Sequence, residues 1–362
     1  MTQSKSSLQL SIDLGVGDPA DAAPDLLRRE HANWILDPQS SHYSLPHGEP
    51  RFIQAIVGYY ERDHGVRLNP QMDICVTHGA RPALVFALLS LDRLGGPVGY
   101  LSPAYVGFEP IIRKARMTPI PISIETWLNG ELDIRTLLCG LRGGAFLINN
   151  PHNPTGLVMS PDELREIARW AHEYDVRVMS DAVYAELYDG QRPVSMLRYD
   201  SCAVEVFSIS KTFRACGWRV GAVVGESNWI AKFKSYYEEM NGVPFAAQMT
   251  AASALEQMIE VGRFRSEVRA RRAVLVEGLR KHGFTVDTTS KNRAGMFVWA
   301  LLPTRSLSSS VTVATRLAAA GVLVSPGSIF GVGGEGAVRF SLNVETSALH
   351  EAIDRIDNTM LR

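Results

Sequence analysis

"SISKTFRACGWRVG", residues 208–221, joins two apolar runs, "AVEVFS" (203–208) and "VGAVVG" (220–225). Both runs are short and rich in valine, which is typical of strands that are buried on both faces of a sheet. The joining stretch holds Lys211 among serine and arginine residues, on a segment that is otherwise small and apolar. Since open α/β sheets bind ligands at the ends of their strands, a lysine with so many hydrogen-bonding neighbours there indicates a functional site.

The sequence before this stretch alternates predicted strands with predicted helices. "GAFLIN" (144–149) and "VRVMS" (176–180) are further short apolar runs bounded by turn residues. Between them, "SPDELREIARWAHEYD" (160–175) has Ser160 as a helix N-cap, Pro161 at the first helical position and apolar residues at helical spacing. This order predicts an α/β fold with a mostly parallel sheet.

The C-terminal part has a different pattern. Residues 245–282 are rich in Ala, Glu, Arg and Leu and predict one long helical stretch. Predicted strands and helices of a small α+β domain follow, and we expect the N-terminal segment to join it in space. The strands are "GMFVWALL" (295–302), "GVLVSPG" (321–327) and "AVRFSL" (337–342), and the helices lie near 309–319 and 346–360.

Composition excludes several classes of protein. The chain has 362 residues, 46% of them hydrophobic, which suits one large domain with a smaller companion. Its 37 Lys and Arg residues balance 38 Asp and Glu residues without a basic block, so neither nucleic acid nor an anionic membrane is an expected partner. No apolar run has the length of a signal peptide or a membrane span, which predicts a soluble cytoplasmic protein. The four cysteines form no CxxC pair, so we expect no metal site and no disulfide framework.

Three further motifs carry polar groups near predicted strand ends. "NNPHNPTG" (149–156) follows a strand and is rich in turn formers, "SDAVYAEL" (180–187) places Asp181 at a strand end, and "THGARPAL" (77–84) has a glycine turn before a predicted helix. Each has a plain structural interpretation as a loop, a helix cap or a turn. Together they supply an acid, an asparagine, a tyrosine and free helix N–H groups suited to a phosphate, and with a lysine these are what pyridoxal 5'-phosphate requires.

These motifs occur in the order and approximate spacing found in the class I/II aminotransferase family, the fold-type I pyridoxal-phosphate enzymes, which the chain resembles over nearly its whole length. The resemblance rests on "NPHNPTG", "SDAVYAEL", "SISKTFRACGWRVG" and "VRFSL". It implies a large cofactor-binding domain with a mostly parallel seven-stranded sheet over residues 40–265. Residues 1–39 together with 266–362 would form the smaller α+β domain.

The resemblance also assigns roles around the cofactor ring. Lys211 would form the Schiff base and move a proton at the substrate α-carbon, and Asp181 would pair with the pyridine nitrogen. Tyr184 and Asn153 would contact the phenolic oxygen, and Tyr105 would stack on the ring. The alternative for Asn153 is a side chain that only stabilises a turn. The alternative for Tyr105 is an ordinary core tyrosine.

The remaining implied contacts are with the cofactor phosphate and the substrate. Residues expected at the phosphate are Gly79, Ala80, Arg81, Ser208 and Arg219, with Tyr43 reaching it from the neighbouring subunit. Arg339 would bind the substrate α-carboxylate, with Gly17 and Asn153 beside it. The alternative for Arg339 is a structural salt bridge. The alternative for Gly17 is a glycine that only forms a turn. If Tyr43 acts as implied, the protein is a homodimer with shared active sites.

The family resemblance leaves the reaction itself open. We expect amino-group transfer between an L-amino acid and a 2-oxo acid. The alternative is elimination and ring closure on a hydroxylated amino acid, as in the similar capreomycidine synthases that act on hydroxyarginine; C–S lyase action and a non-enzymatic effector-binding module are weaker candidates. Three residues have side chains to which the resemblance assigns no role: His47, Arg214 and Arg81, whose expected contact with the phosphate is through its backbone amide.

Overall fold

The computed structural model describes residues 11–287, 294–303 and 309–360. Its strands form a central sheet, a small sheet and a two-stranded ladder. They are β1 (Ile12–Asp13), β2 (Ile74–Thr77), β3 (Pro97–Ser102), β4 (Thr118–Ser123), β5 (Ala145–Asn149), β6 (Arg177–Asp181), β7 (Val204–Ser208), β8 (Gly221–Gly225), β9 (Phe297–Leu301), β10 (Val322–Leu323), β11 (Ser325–Pro326) and β12 (Ala337–Ser341).

The described helices pack on both faces of the central sheet and around the small one. None of them is long and apolar enough to span a bilayer. They are α1 (Asp25–Leu36), α2 (Pro50–Tyr59), α3 (Ala80–Leu89), α4 (Phe108–Lys114), α5 (Ile124–Leu128), α6 (Ile134–Gly140), α7 (Pro161–Glu173), α8 (Ile209–Thr212), α9 (Ser227–Tyr237), α10 (Phe245–Gln257), α11 (Val261–Lys281), α12 (Ser310–Ala319) and α13 (Thr346–Met360).

The central sheet has seven strands in the order β2-β8-β7-β6-β5-β3-β4. All pairs from β4 to β7 are parallel, whereas β8 is antiparallel to both of its neighbours. The predicted mostly parallel seven-stranded sheet is therefore confirmed. Residues 209–220 join β7 directly to the adjacent antiparallel β8, because this link is too short for a full helical crossover.

Strand register brings the predicted motifs to one edge of this sheet. Asn149, the last residue of β5, lies opposite Asp181, the last residue of β6. Ser208 ends β7 and lies opposite Gly221. The carboxyl ends of three neighbouring strands thus present an amide, a carboxylate and the lysine stretch side by side.

Helix α7 follows the sequence pattern closely. The Ser160 hydroxyl accepts a hydrogen bond from the Glu163 backbone N–H at 3.2 Å, and Glu163 Oε2 accepts from Ser160 N at 2.7 Å, which forms a capping box. Pro161 occupies the first turn, where its missing N–H leaves no hydrogen bond unmade. The predicted helix start is confirmed.

The sequence predicts a single helical stretch over 245–282. This prediction was wrong, because the structure has two helices there. Met258 and Glu260 have φ values of 47° and 56°, so the chain leaves α10 after Gln257 and enters α11 at Val261. Left-handed backbone at two positions breaks the helical hydrogen-bond ladder. Sequence composition did not reveal this break, because no glycine or proline marks it.

The small sheet has the antiparallel order β11-β12-β9. Beside it, β1 pairs in parallel with β10, Ile12 opposite Val322, so the N-terminal segment lies against the C-terminal part. Leu27 of α1 packs instead with Phe52 and Ile56, in a cluster beneath the central sheet. The proposed boundaries of the two domains, residues 40–265 and 1–39 with 266–362, stay predictions.

Candidate active site

A cavity of about 460 Å³ opens between the carboxyl ends of the central strands and the small sheet. It is lined by residues from both halves of the chain. The predicted site residues that line it are Gly17, Ala80, Arg81, Tyr105, Asn153, Asp181, Tyr184, Ser208, Lys211, Arg219 and Arg339. The structure therefore brings together residues separated by more than three hundred positions in sequence, as the resemblance requires.

Lys211 lies on the short helix α8, immediately after β7. Its Nζ donates a hydrogen bond to Gly17 O at 2.6 Å and lies 3.3 Å from Cys216 Sγ. The ammonium group forms no ion pair with any described residue. The lysine thus reaches across the cavity to the N-terminal segment, with a carbonyl and a thiol as its acceptors.

Asp181 is buried at the floor of the cavity. Its Oδ1 accepts a long hydrogen bond of 3.4 Å from Val183 N, and no described cation pairs with it. Burial raises the pKa of this carboxyl to about 7, and the nearby Glu205 carboxylate acts in the same direction. A carboxylate in this position can hold a proton on a basic ring nitrogen and would be stabilised by it.

Asn149 and Asn153 connect the backbone at Asp181 to Arg339 on the opposite wall of the cavity. Asn149 Nδ2 donates to Asp181 O at 3.0 Å, while its Oδ1 accepts from Asn153 N at 2.7 Å. Asn153 Oδ1 in turn accepts from Arg339 Nη1 at 3.0 Å. The turn motif therefore has more than a loop-forming role, since its amides fix the positions of a charged residue on each side.

Arg339, on β12, is a buried cation without a carboxylate partner among the described residues. Nη2 donates to Gly15 O, and the guanidinium lies 4.0 Å above the ring centroid of Phe297 and 4.8 Å from that of Phe330. Burial lowers the pKa of Arg339 to about 10. Because no described residue forms the alternative structural salt bridge, the guanidinium is available for a carboxylate ligand.

A cradle for an anion lies at the start of α3. Gly79 precedes this helix with φ 80°, so the amides of Ala80 and Arg81 are free of helical partners. Arg219 lies above them, with Nη2 donating to His78 O at 3.1 Å and Nη1 to Cys216 O at 2.8 Å. A Cβ on Gly79 would lie 2.5 Å from Arg219 Nη2, so only glycine allows this approach.

Ser208 and Tyr184 are two further residues that line the cavity. Ser208 Oγ accepts from Ser210 N at 3.2 Å and caps α8. Tyr184 packs edge-on against Phe297 at 5.7 Å between ring centroids, and burial raises its pKa. Tyr184 lies in a turn rather than one helical turn beyond the strand, since no helix follows β6 directly.

Tyr105 and Tyr43 occupy contrasting positions. Tyr105 lines the cavity and packs edge-on against Phe108 at 5.6 Å. Tyr43 is not brought to this cavity, and 92% of its surface is exposed. An exposed tyrosine outside its own site is compatible with a role in a neighbouring subunit.

The three unassigned residues differ in their surroundings. Arg214 pairs with Glu260 at 2.7 Å and lies over Phe264, so it anchors the lysine stretch to α11. His47 contributes its carbonyl to Val76 N at 3.0 Å, and burial lowers the pKa of its imidazole. Arg81 is exposed on the cavity wall and forms no hydrogen bond with the described residues.

Three residues at the site were not identified from the sequence. Asn149 was part of a quoted motif, and its place before two prolines could have indicated its role. Phe297 had no signal beyond its predicted strand, although its ring contacts Arg339, Tyr184 and the position of Gly17. Cys216 gave none, since its contact with Lys211 depends on how residues 213–219 fold back.

A larger cavity of about 560 Å³ lies alongside, between α5 and α11, and shares Phe297 with the first. It contains neither the lysine nor the buried carboxylate. We assign the site to the smaller cavity, where a nucleophilic amine, an unpaired acid and an unpaired guanidinium converge. Within the described ranges, no group of three or more acidic, His or Cys side chains is placed to hold a metal ion.

The fold is α/β, and its cavity brings together the Lys211 amine, the buried Asp181 carboxyl and the buried Arg339 guanidinium. The sequence model of the family "Aminotransferase class I and II" matches residues 11–356. The chain belongs to this family.

Individual relatives agree with this assignment. The chain is 31% identical over 360 residues to LL-diaminopimelate aminotransferase of Syntrophobacter fumaroxidans, covering 95% of this chain and 90% of the relative. The aromatic aminotransferase of Pyrococcus horikoshii OT3 superposes with a TM-score of 0.88 at 29% identity, over 96% of this chain and 95% of that one. N-succinyldiaminopimelate aminotransferase of Mycobacterium tuberculosis does so with a TM-score of 0.88 at 26% identity, over 96% and 93%.

The protein is thus a pyridoxal-phosphate-dependent enzyme of the aminotransferase type that acts on an amino acid. The cavity fits this cofactor on two observations. Its buried carboxylate lacks a cation, which a protonated pyridine would supply, and the cradle at Gly79 leaves free amides and a guanidinium for a phosphate. The relatives described above do not support the hydroxyarginine-cyclising branch.

Proposed function

We propose that this cavity transfers the α-amino group of an L-amino acid, with Lys211 as the reacting amine. The observation that carries the proposal is the convergence of the Lys211 amine with two unpaired buried charges, Asp181 and Arg339, in one cavity. The two charges have opposite signs and do not pair with each other. Asp181 would pair with the cofactor ring, and Arg339 would pair with the substrate.

Bound pyridoxal phosphate supplies a reactive carbonyl carbon and a ring that accepts electrons from the substrate α-carbon. Asp181 would keep a proton on the ring nitrogen, and Tyr184 and Asn153 would hold the ring oxygen. Lys211 would hold the cofactor, and its amine would carry a proton to or from the substrate α-carbon. The backbone carbonyl of Gly17 would orient that amine at the cavity wall.

Arg339 orients the substrate through its α-carboxylate. The planar guanidinium is held from two sides by Asn153 and Gly15, and stacked on Phe297, so its free edge has one orientation. A bidentate pair with the carboxylate would then fix the direction of the bond to the α-hydrogen. The phosphate would be bound by Ser208, Arg219 and the amides after Gly79.

We further infer that the enzyme is a homodimer in which Tyr43 reaches the partner's phosphate site. Support comes from the exposure of Tyr43 together with nearby exposed apolar side chains, among them Ile35, Leu36 and Leu45. Exposed apolar side chains along residues 35–45 suit an interface between two copies of the chain. A cytoplasmic location stays a prediction from the sequence.

For the substrate we propose an amino acid with a second acidic end, such as LL-diaminopimelate. Relatives at 31% and 29% identity and a structural neighbour at 26% identity are named for diaminopimelate or its N-succinyl derivative. Arg81 supports this choice, because it lines the cavity and is not engaged by described residues. It would bind the distal carboxylate.

The proposal is tested by mixing the loaded enzyme with single amino acids in the absence of an oxo acid. The panel holds LL-diaminopimelate, glutamate, phenylalanine and a hydroxyarginine, with products identified by mass. We expect one oxo acid per site from the acidic donors and continued turnover only after 2-oxoglutarate is added. Repeated turnover without an acceptor, with loss of water, would support the cyclising alternative instead.

Arg81→Gln tests the substrate class, with Arg113→Gln as the control because Arg113 pairs with Glu109 at the surface. We expect kcat/KM for acidic donors to fall about tenfold or more, with little change for phenylalanine and for cofactor affinity. A uniform loss for all donors, or weaker cofactor binding, would instead place Arg81 at the phosphate.

A further inference from the structure

Cys216 contacts the proposed reacting lysine from the side. Its Sγ lies 3.3 Å from Lys211 Nζ and also 3.3 Å from Ser210 O, and the residue lines the same cavity. Four residues separate the cysteine from the lysine, so the contact arises because the loop folds back. We propose that Cys216 is a positioning residue for the Lys211 amine, an inference that rests on the proposed role of Lys211.

The thiol is in the right protonation state for this role. Burial raises the pKa of Cys216, the Asp18 carboxylate beside it acts in the same direction, and Lys211 opposes them. A neutral thiol can donate its S–H to Ser210 O and accept from Nζ with a sulfur lone pair. A neutral acceptor orients the amine without trapping it as an ammonium ion, which a carboxylate at the same place would do.

Two acceptors define the direction of the amine. Gly17 O and Cys216 Sγ both receive hydrogen bonds from Nζ, from different elements of the chain. With both acceptors in place, the Lys211 amine has a fixed direction within the cavity. With only Gly17 O, the flexible lysine side chain can rotate about that single bond.

The loop that carries Cys216 is anchored at both sides. Arg214 and Arg219 have left-handed backbone, with φ 56° and 57°, which turns the chain back over α8. Arg214 pairs with Glu260, and Arg219 Nη1 donates to Cys216 O at 2.8 Å. The Arg219 guanidinium also donates to His78 O, next to the anion cradle at Gly79. Arg219 therefore fixes the position of Cys216 relative to that cradle.

The test compares Cys216→Ala and Cys216→Ser with Cys202→Ala, a half-buried thiol outside the cavity. We expect Cys216→Ala to lower kcat about tenfold with little change in KM, and Cys216→Ser to restore most of it, since its hydroxyl keeps an acceptor. Cys202→Ala should behave as wild type. Equal losses in the alanine and serine variants, or no loss in either, would overturn the proposal.

A second readout uses the cofactor-free protein. The rate at which an amine-acylating reagent modifies Lys211 is measured at one fixed pH by mass spectrometry. We expect Cys216→Ala to raise this rate about twofold or more, because the amine loses one of its two acceptors, and Cys216→Ser to keep the wild-type rate. The other titratable or charged groups lining the cavity are common to all variants: Asp18, Arg81, Tyr105, Asp181, Tyr184, Arg219 and Arg339.

Wild-type protein gives a third result that needs no variant. Iodoacetamide should alkylate Cys216 more slowly after cofactor loading, while Cys202 stays unchanged. Equal rates at Cys216 with and without cofactor would contradict the contact. Loss of the cofactor band in Lys211→Ala is judged separately: if that band persists, the proposed function fails, whatever the cysteine variants show.

Discussion

Asp181 and Arg339 are buried charges of opposite sign that lack ionic partners among the described residues. Leaving a charge unpaired in the interior costs several kcal/mol, as an order of magnitude, so such groups persist where a ligand completes them. A protonated pyridine nitrogen would complete Asp181, and a substrate carboxylate would complete Arg339. The protein without cofactor and substrate should therefore be less stable, because both buried charges then lack a partner.

For Asp181 this cost depends on pH. The folded-state pKa of about 7 lies above the reference value of 3.8, so the folded protein binds this proton more tightly than the unfolded chain. The free energy of unfolding of the cofactor-free protein therefore falls as pH rises through that range, by up to about 4 kcal/mol from this group. Asp181→Asn should lack this fall.

Urea unfolding at about pH 5 and about pH 8 measures the difference between the two proteins. The exposed Asp175 provides the matched control, because Asp175→Asn should keep the pH dependence of the wild type. An identical pH dependence in wild type and Asp181→Asn would show that the carboxyl is not perturbed as described.

Arg339→Lys and Arg339→Ala test carboxylate binding. A lysine keeps the positive charge but cannot form the bidentate hydrogen bonds of a guanidinium. We therefore expect KM for the amino donor to rise about tenfold in Arg339→Lys and about a hundredfold in Arg339→Ala. Steady-state kinetics give KM, and cofactor absorbance checks that the ring is still bound. A KM unchanged in both variants would assign Arg339 a structural role.

The sequence identified most of the site residues because each lies in a short motif next to a predicted strand end. Cys216 and Phe297 were not identified. The contact of Cys216 needs two left-handed arginines, and non-glycine residues give no sequence signal for that backbone. Phe297 belongs to a strand whose register against Arg339 follows from tertiary packing alone.

At the scale of elements, the start of α3 decides whether a phosphate can bind. Gly79→Ala would force a Cβ to within 2.5 Å of the Arg219 guanidinium at a φ of 80°. We expect cofactor affinity to fall about tenfold or more, because Arg219 must leave the free amides. Equilibrium titration of the cofactor-free protein with pyridoxal phosphate measures this change.

Gly65→Ala is the matched control for backbone strain. Gly65 also has a positive φ, 66°, but a Cβ there would meet no atom within 4 Å. We expect this variant to lose about 1 kcal/mol of unfolding free energy with unchanged cofactor affinity. Equal affinity losses in the two variants would mean that strain, rather than the approach of Arg219, is responsible.

Elements with local signals were predicted well, and those set by long-range contacts were not. The α7 capping box is a local pattern, and the structure has it. The break between α10 and α11 lies at Met258 and Glu260, where Glu260 pairs with Arg214 from a distant segment. The antiparallel β8 likewise depends on the short link after Lys211.

At the scale of the whole molecule, the proposed dimer predicts complementation between two defective chains. Tyr43→Ala should weaken cofactor binding about tenfold, and Lys211→Ala should be inactive. A hybrid dimer would pair the intact Lys211 of one chain with the intact Tyr43 of the other. We expect mixed subunits to regain a site of wild-type affinity and activity, measured after separation of the hybrid by a tag on one chain.

Leu36→Asp provides the control for this experiment, since Leu36 is 81% exposed in the single chain. A charge at a buried interface should shift the mass measured by light scattering toward the monomer and abolish complementation. A monomeric wild type, or full cofactor affinity in Tyr43→Ala, would contradict the shared site.

The proposed role of Lys211 is tested most directly by finding which residue carries the pyridoxal phosphate. The loaded protein is reduced with borohydride, digested and analysed by mass, beside Lys211→Ala and a Lys232→Ala control, whose lysine pairs with Asp92 at the surface. We expect a visible absorbance band and a reduced adduct at Lys211 in the wild type and the control, and neither in Lys211→Ala. An adduct on another lysine, or a band that survives in Lys211→Ala, would contradict it.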